Sequence, residues 1–114
     1  MVQDCLFCKI VAGEIPSQVV YQDEKVYAFK DIAPVAPVHV LIVPKKHISS
    51  LEDLGPEDAD IMGHIVLTAA KLARELGLAR GYRVVANCQE EGGQTVYHVH
   101  FHLIGGRSMQ WPPG

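Results

Sequence analysis

The sequence predicts an α+β fold built on an antiparallel sheet, and three observations carry that reading. A length of 114 residues suits one compact domain, spanning 1–114, large enough for a real core. Short alternating or β-branched stretches follow one another across tight turns, as in hairpins. One stretch, Pro56 to Gly77, repeats its apolar residues at helical spacing.

Taken in order, Cys5 to Glu14 reads as a short helix closed by Gly13, with Pro16 as punctuation. Gln18 to Gln22 is a strand, Asp23-Glu24 a turn, and Lys25 to Lys30 the second arm of a hairpin. Pro34 and Pro37 remove ladder donors from the stretch Asp31 to Pro37, which is expected to be an irregular loop lining something. His39 to Pro44 is β-branched and apolar, a buried strand stopped by Pro44, and Lys45-Lys46 reads as its solvated end. Pro56 then opens the long helix, with Glu57, Asp58 and Asp60 at its positive end. Ile61, Ile65, Ala69, Leu72 and Leu76, flanked by Met62, Val66 and Ala73, form its apolar stripe. Gly77 stops it. Tyr82 to Asn87 is a strand, Cys88 to Gly93 a polar connection, and Thr95 to Ile104 the last strand before Gly105-Gly106. Trp111-Pro112-Pro113-Gly114 is irregular and able to dock on a surface.

Composition excludes some functions. Hydrophobic residues at 48% and charged residues at 20% are ordinary globular values, and a net charge of −3 gives no reason to expect a nucleic-acid groove. The first ten residues lack a basic start followed by an apolar run. Ile32 to Val43, the longest weakly polar stretch, is interrupted by prolines and too short to cross a bilayer. The expectation is a cytoplasmic protein with no membrane partner. Its cysteines are then thiols or metal ligands rather than a disulfide framework.

His98, His100 and His102 alternate with Val99, Phe101 and Leu103. On a strand the imidazoles share one face and the apolar residues the other. The outer two start roughly 13 Å apart, whereas a tetrahedral metal needs each nitrogen within about 2.1 Å of one point. Roles are therefore divided along the row, and at least one imidazole is left for acid, base or nucleophilic work.

Cys5-Leu6-Phe7-Cys8 is a C-x-x-C pair with too little chain before it for the strand a thioredoxin-like motif requires. It is either a pair of buried thiols or half of a zinc site completed by the unassigned His47 and His98. His39, at the head of an apolar strand, reads on its own as a packing residue. His64 receives no role, and Cys88 packs as a small side chain. Gly92-Gly93 is no phosphate loop of the Gly-Lys-Ser/Thr type, although glycines there let backbone N–H groups approach an anion.

His98 to Ile104 resembles the His-φ-His-φ-His-φ-φ signature of the histidine triad (HIT) superfamily. The likeness extends through Phe7-Cys8-Lys9-Ile10, Gly13-Glu14-Ile15-Pro16, Asp31-Ile32, Ala36-Pro37-Val38-His39, Pro44-Lys45-Lys46-His47-Ile48 and Gly92 to Tyr97. The ending, Gly105-Gly106-Arg107 through Trp111-Pro112-Pro113-Gly114, is similar to the Hint branch, the histidine triad nucleotide-binding proteins. The resemblance implies a HIT-like fold: a five-stranded antiparallel sheet with one long and one short helix, paired into a homodimer whose sheets run together. It implies hydrolysis of purine nucleoside 5′-phosphoramidates, such as adenosine 5′-monophosphoramidate, through a covalent nucleotidyl-histidine.

In that resemblance His100 is the nucleophile, His102 contacts the phosphate and assists the leaving group, and His39 supports the histidine network. Asp31 accepts from the ribose hydroxyls, and Ile32 lies near the base. Asn87 and Thr95 contact the phosphate or leaving group; Thr95 stands where many members carry serine. Backbone N–H groups of Gly93, Gln94 and Thr95 help hold phosphoryl oxygens. Family members with paired cysteines suggest Cys5, Cys8, His47 and His98 as ligands of a structural zinc, with no catalytic metal. The terminal Trp-Pro-Pro segment reaches toward the partner's site. Competing readings are a nucleotide-binding interaction module with incidental turnover, a dinucleoside polyphosphate hydrolase, and a zinc hydrolase in which the triad holds a catalytic metal.

Overall fold

The computed structural model describes residues 4–114. Residues 1–3, part of the domain expected to span 1–114 and of the start read for a leader, lie outside the described residues. Five strands, β1 (Val19–Gln22), β2 (Val26–Lys30), β3 (Val38–Pro44), β4 (Tyr82–Val85) and β5 (Phe101–Gly105), form one sheet in the order β1-β2-β3-β5-β4. Every neighbouring pair is antiparallel. Helix α1 (Leu6–Val11) covers one face and α2 (Ala59–Glu75) the other; a one-turn helix, α3 (Gln89–Gly92), sits between β4 and β5.

Alternation along the strands sorts the core into two layers. Val26, Ala28, Val40, Ile42 and Leu103 pack with Ile65, Ala69, Leu72 and Ala73 of α2. Tyr27, Phe29, Leu41 and Val43 pack with Cys5, Phe7, Cys8 and Ile10 around α1. His39 and His102 stand on this second face, because β5 pairs with β3 so that His102 opposes Leu41 and His39 opposes Ile104. The apolar gap residues Phe101 and Leu103 go to the α2 side. Gly105 ends β5 tightly beneath Leu78, whose Cδ1 would stand 2.7 Å from an added Cβ.

Asp23 closes the first hairpin, its Oδ1 accepting the N–H groups of Lys25 and Val26 at 2.8 and 2.9 Å. Its Oδ2 lies 2.6 Å from His64 Nε2 and accepts the Tyr21 hydroxyl at 2.7 Å, so the hairpin is tied to α2. His64, given no role from sequence, is a tie between layers. Lys46 is exposed, as expected of a solvated strand end, and its ammonium forms an ion pair with the buried Asp58 at 2.6 Å. Asp58 also accepts Gly55 N–H at 3.0 Å, which anchors the segment holding His47 to the start of the long helix.

Several expected boundaries move. The long helix begins as a 3₁₀ turn at Pro56–Asp58 before becoming α-helical at Ala59. Its buried seam is Ile65, Thr68, Ala69, Leu72 and Ala73, while Val66 and Leu76 are exposed. The polar connection after Cys88 folds into α3, closed by Gly93 in the left-handed region at φ 87°.

The largest change is in the last strand, which starts at Phe101 rather than Thr95. Extending its register with β3, where Ile42 faces Phe101, would set Val99 opposite Pro44, which has no N–H to donate. The Pro44 carbonyl is taken by the His98 side chain at 2.7 Å, and Val99 N–H turns to the Ile48 carbonyl at 2.7 Å. His98 and His100 therefore precede the ladder.

Candidate active site and metal centre

The three histidines divide into two neighbouring sites. His98 is fully buried, and its Nε2–H donates to the Pro44 carbonyl, a group that can only accept. Its Nδ1 is left with a lone pair facing Cys5 Sγ at 3.3 Å and Cys8 Sγ at 3.6 Å. Burial, with smaller repulsion from His47 and His100, pushes the His98 pKa down to about 4, so the ring is neutral at pH 7. His47 Nδ1 lies 3.4 Å from Cys8 Sγ, and its Nε2 lies 3.3 Å from Ser49 Oγ.

The four donor atoms of Cys5, Cys8, His47 and His98 lie within 4.8 Å of one another. Tetrahedral zinc with Zn–S near 2.3 Å and Zn–N near 2.0–2.1 Å requires S···N separations of about 3.6 Å. Separations of 3.3, 3.4 and 3.6 Å meet that requirement. Each imidazole also has its second nitrogen engaged, as metal-binding histidines require. The donor set fits zinc. None of the three cysteines is in a disulfide.

His100 points its chemistry elsewhere. Its Nδ1–H donates to the His98 carbonyl at 2.7 Å, which leaves the Nε2 lone pair exposed to reaction. Burial lowers its pKa, outweighing the His98 carbonyl bond and the Asp31 charge, which raise it. The edge of Phe7 meets this ring with centroids 5.0 Å apart, and the same phenyl packs against His98 at 6.0 Å. One aromatic side chain from α1 thus positions both rings.

A second relay fixes His102. Val35 N–H donates to His39 Nδ1 at 3.2 Å, so a neutral His39 carries its proton on Nε2. That proton points to His102 Nδ1 at 2.9 Å, which places the proton of His102 on Nε2. His102 Nε2 is buried and meets no hydrogen-bond partner among the described residues. Burial, with like-charge repulsion from His100 and His39, lowers the His102 pKa to about 4. Its ring centroid lies 5.1 Å from that of His100. A neutral imidazole with an open lone pair therefore stands beside a neutral imidazole with an unused donor. That pair is suited to nucleophilic attack with hydrogen-bond assistance to the charge that develops.

Asp31 lies 3.4 Å from His39 Nε2 through Oδ2, while its Oδ1 accepts Ala33 N–H at 2.8 Å. Ile32 is fully exposed and Val35 half-exposed, an apolar surface at the mouth of the histidine site. Asn87 is half-buried and Thr95 exposed, on either side of α3.

Gln94 is buried and bonded within its own loop. Its side chain accepts Gln89 N–H at 2.9 Å and donates to the carbonyls of Ser49 and Val96 at 2.8 and 3.1 Å. The backbone N–H groups of Gly93 and Gln94 are engaged by the Glu90 and Gln89 carbonyls, both at 3.0 Å, in the cap of α3. Of the anion donors expected at Gly93, Gln94 and Thr95, the first two are committed to the loop's own structure. Sequence reasoning missed the orienting groups: Phe7, the Val35 N–H, the carbonyls of Pro44 and His98, and Ser49. Only Ser49, two residues after His47, left a signal. A cavity of about 600 Å³ between Gly77 and Met109 is lined by none of the histidines.

Comparison with known proteins gives a consistent picture. Residues 12–109 match the HIT domain. The chain is 49% identical over 113 residues to a "14 kDa zinc-binding protein" of Brassica juncea, covering 97% of this chain and 100% of that one. It is 49% identical over 111 residues to "Adenylylsulfatase HINT1" of Arabidopsis thaliana, covering 96% and 76%. A HIT family hydrolase from Legionella pneumophila superposes with a TM-score of 0.96 at 53% identity, covering 97% and 100%.

Proposed function

The chain belongs to the HIT domain family, and from that premise we propose that it hydrolyses purine nucleoside 5′-phosphoramidates through a nucleotide bonded to His100. One observation carries the reading: the His98 carbonyl holds the His100 proton on Nδ1 and leaves Nε2 unprotonated, on a ring whose centroid lies 5.1 Å from that of His102 with its unused donor. Nε2 of His100 attacks the α-phosphorus, and the P–N bond to the amine breaks with its electron pair leaving on nitrogen. His102 Nε2–H donates a hydrogen bond to the departing nitrogen, which leaves as the amine with a proton taken up from solvent. Water then attacks the phosphorus, the bond to His100 breaks, and a nucleoside 5′-monophosphate leaves. The proton that the water loses passes to solvent and balances the one taken up by the amine. Dividing the reaction this way replaces one hard displacement by two easier ones.

Asp31 is assigned to the ribose hydroxyls and Ile32 to the base. Asn87 and Thr95 are assigned to the phosphate or leaving group, with Gly93 and Gln94 shaping the loop that carries Thr95. Residues 1–114 are read as one domain. Cys5, Cys8, His47 and His98 would hold a structural zinc, which ties α1 to the segment that presents His100. Elemental analysis of protein purified without added metal tests this, and one zinc per chain is expected. Three cysteines with none in a disulfide suit the reducing cytoplasm, and no helix among the described residues is long and apolar enough to cross a membrane.

A homodimer is part of the proposal. Strand β4 lies at an edge of the sheet with Tyr82 and Val84 exposed, so a second copy can continue the ladder there. Sedimentation at working concentration is expected to give twice the chain mass, and a monomer alone counts against it.

The leaving group is the open part of the chemistry. The relative named an adenylylsulfatase favours a second reading, in which the same attack on the α-phosphorus expels sulfate. Assays with adenosine 5′-monophosphoramidate and adenosine 5′-phosphosulfate side by side separate them. A higher kcat/KM for the phosphoramidate is expected, and a preference for the phosphosulfate would replace the first reading by the second.

A further inference from the structure

We propose that the cavity between the α2–β4 connection and the chain after β5 is an anion site, apart from the histidine site, that takes a small molecule carrying a di- or triphosphate group. Three of the chain's four arginines line it, Arg80, Arg83 and Arg107, and no aspartate or glutamate does. Arg80 precedes β4, Arg83 lies on β4, and Arg107 follows the end of β5. The pairing of Tyr82 with Gly105 brings the three segments to one end of the sheet. None of the three arginines forms an ion pair among the described residues. Uncompensated guanidinium groups around one cavity repel one another, and a bound polyanion replaces that repulsion by attraction. The overall charge of −3 makes this local excess of positive charge the more distinct.

Two of the guanidinium groups are held by main-chain carbonyls. Arg83 Nη2 donates to the Gln110 carbonyl at 2.7 Å, and Arg107 donates from Nε to Val35 at 3.0 Å and from Nη1 to Ser108 at 3.1 Å. Carbonyl acceptors fix these side chains without cancelling their charge. A guanidinium has about five N–H donors, so both keep donors to spare. Arg80 donates to nothing among the described residues. Held forks of this kind match phosphate oxygens two at a time and lose little freedom on binding. Three positive charges suit a di- or triphosphate better than a single phosphate, which carries about −1.5 to −2. A volume of about 600 Å³ exceeds what one phosphate fills and lies within the range of small-molecule sites. Leu78, Tyr82 and Met109 also line the cavity and give an organic group apolar contact. Arg80 and Arg107 lie outside the strands, off the ladder edge that the proposed dimer uses. The site rests on none of the chemistry assigned to His100.

The test is proton–nitrogen NMR of the full chain as purified, at about 0.15 M ionic strength and without magnesium, titrated with inorganic triphosphate and separately with ATP. Saturable shifts are expected at Arg80 to Arg83 and Arg107 to Met109 with both probes. Tighter binding of ATP there assigns the nucleoside to the cavity, and equal binding assigns the phosphates alone. Shifts that ATP causes around His98 to His102 report the histidine site separately. Arg80→Gln and Arg107→Gln should each weaken triphosphate binding about threefold or more, and the double variant about tenfold or more. Arg74→Gln, which removes the same charge from α2 outside the cavity, should leave it unchanged. No saturable shift at the cavity residues, shifts confined to the histidine site, or binding indifferent to the double variant would overturn the site. Sulfate binding as tightly as triphosphate would overturn its assignment to a di- or triphosphate.

Discussion

Replacing His39 by leucine removes one proton relay while keeping an apolar side chain of similar bulk in a buried position. His39 Nε2–H is the donor that holds His102 Nδ1 as an acceptor, at 2.9 Å. Without it a buried acceptor loses its partner, which costs about 1–3 kcal/mol. His102 is then free to carry its proton on Nδ1, in which case Nε2 no longer donates to the leaving group. If the whole penalty falls on the transition state, kcat/KM drops about 5- to 150-fold. The assay is hydrolysis of adenosine 5′-monophosphoramidate without chelator, which leaves the proposed Cys5–Cys8–His47–His98 zinc site undisturbed. Nitrogen NMR of the His102 ring reports the tautomer directly, and His39→Gln, which restores an N–H donor, should recover part of the rate. A folded His39→Leu protein with unchanged kcat/KM, or one whose His102 keeps its proton on Nε2, would refute the relay.

Two further outcomes follow from other parts of the structure. Burial tends to raise the Asp23 pKa, but His64, the Tyr21 hydroxyl and the N–H groups of Val26 and Lys25 outweigh it and hold the carboxyl below its ordinary range. Its stabilising contribution is present above the ordinary carboxylate pKa and is lost as pH falls below that value. Asp23→Ala should therefore cost about 2 kcal/mol at neutral pH and less in acid; a pH-independent loss in urea melts would contradict this. The second outcome concerns the rate. His100 must be neutral to attack, and burial lowers its pKa. The acid limb of kcat/KM should have its midpoint below the ordinary histidine value of about 6.5, and a midpoint at or above that value would contradict the assignment.

How much of this was legible in the residues depends on which interactions made each feature. The hairpin of β1 and β2, the proline-broken loop and the long helix follow from local patterns that tertiary packing did not override. The separation of His102 from Phe101 and Leu103 onto opposite faces also follows from alternation, whereas His98 and His100 precede the ladder and are placed by their own side-chain contacts. The shorter last strand was not visible, because its cause is the missing N–H of Pro44, more than fifty residues earlier in the chain. The one-turn helix after Cys88 was hidden for a similar reason. Gln94 reaches back to cap it and to hold Ser49, a link no local pattern encodes. Spacing alone argued that the three histidines could not share one metal, and the two sites they enter are separate. Their individual tautomers depend on carbonyl and N–H groups of Pro44, His98 and Val35, which carry no side-chain signature.

The central claim is that His100 carries the nucleotide during turnover. It is tested most directly by mixing the protein with radiolabelled adenosine 5′-monophosphoramidate, quenching within a single turnover, and mapping the label. The account predicts an acid-labile, base-stable adenylyl group on His100 in the wild type. In folded His100→Ala, both the label and the hydrolysis should be lost. Label on another residue, or full hydrolysis by the variant, would contradict it.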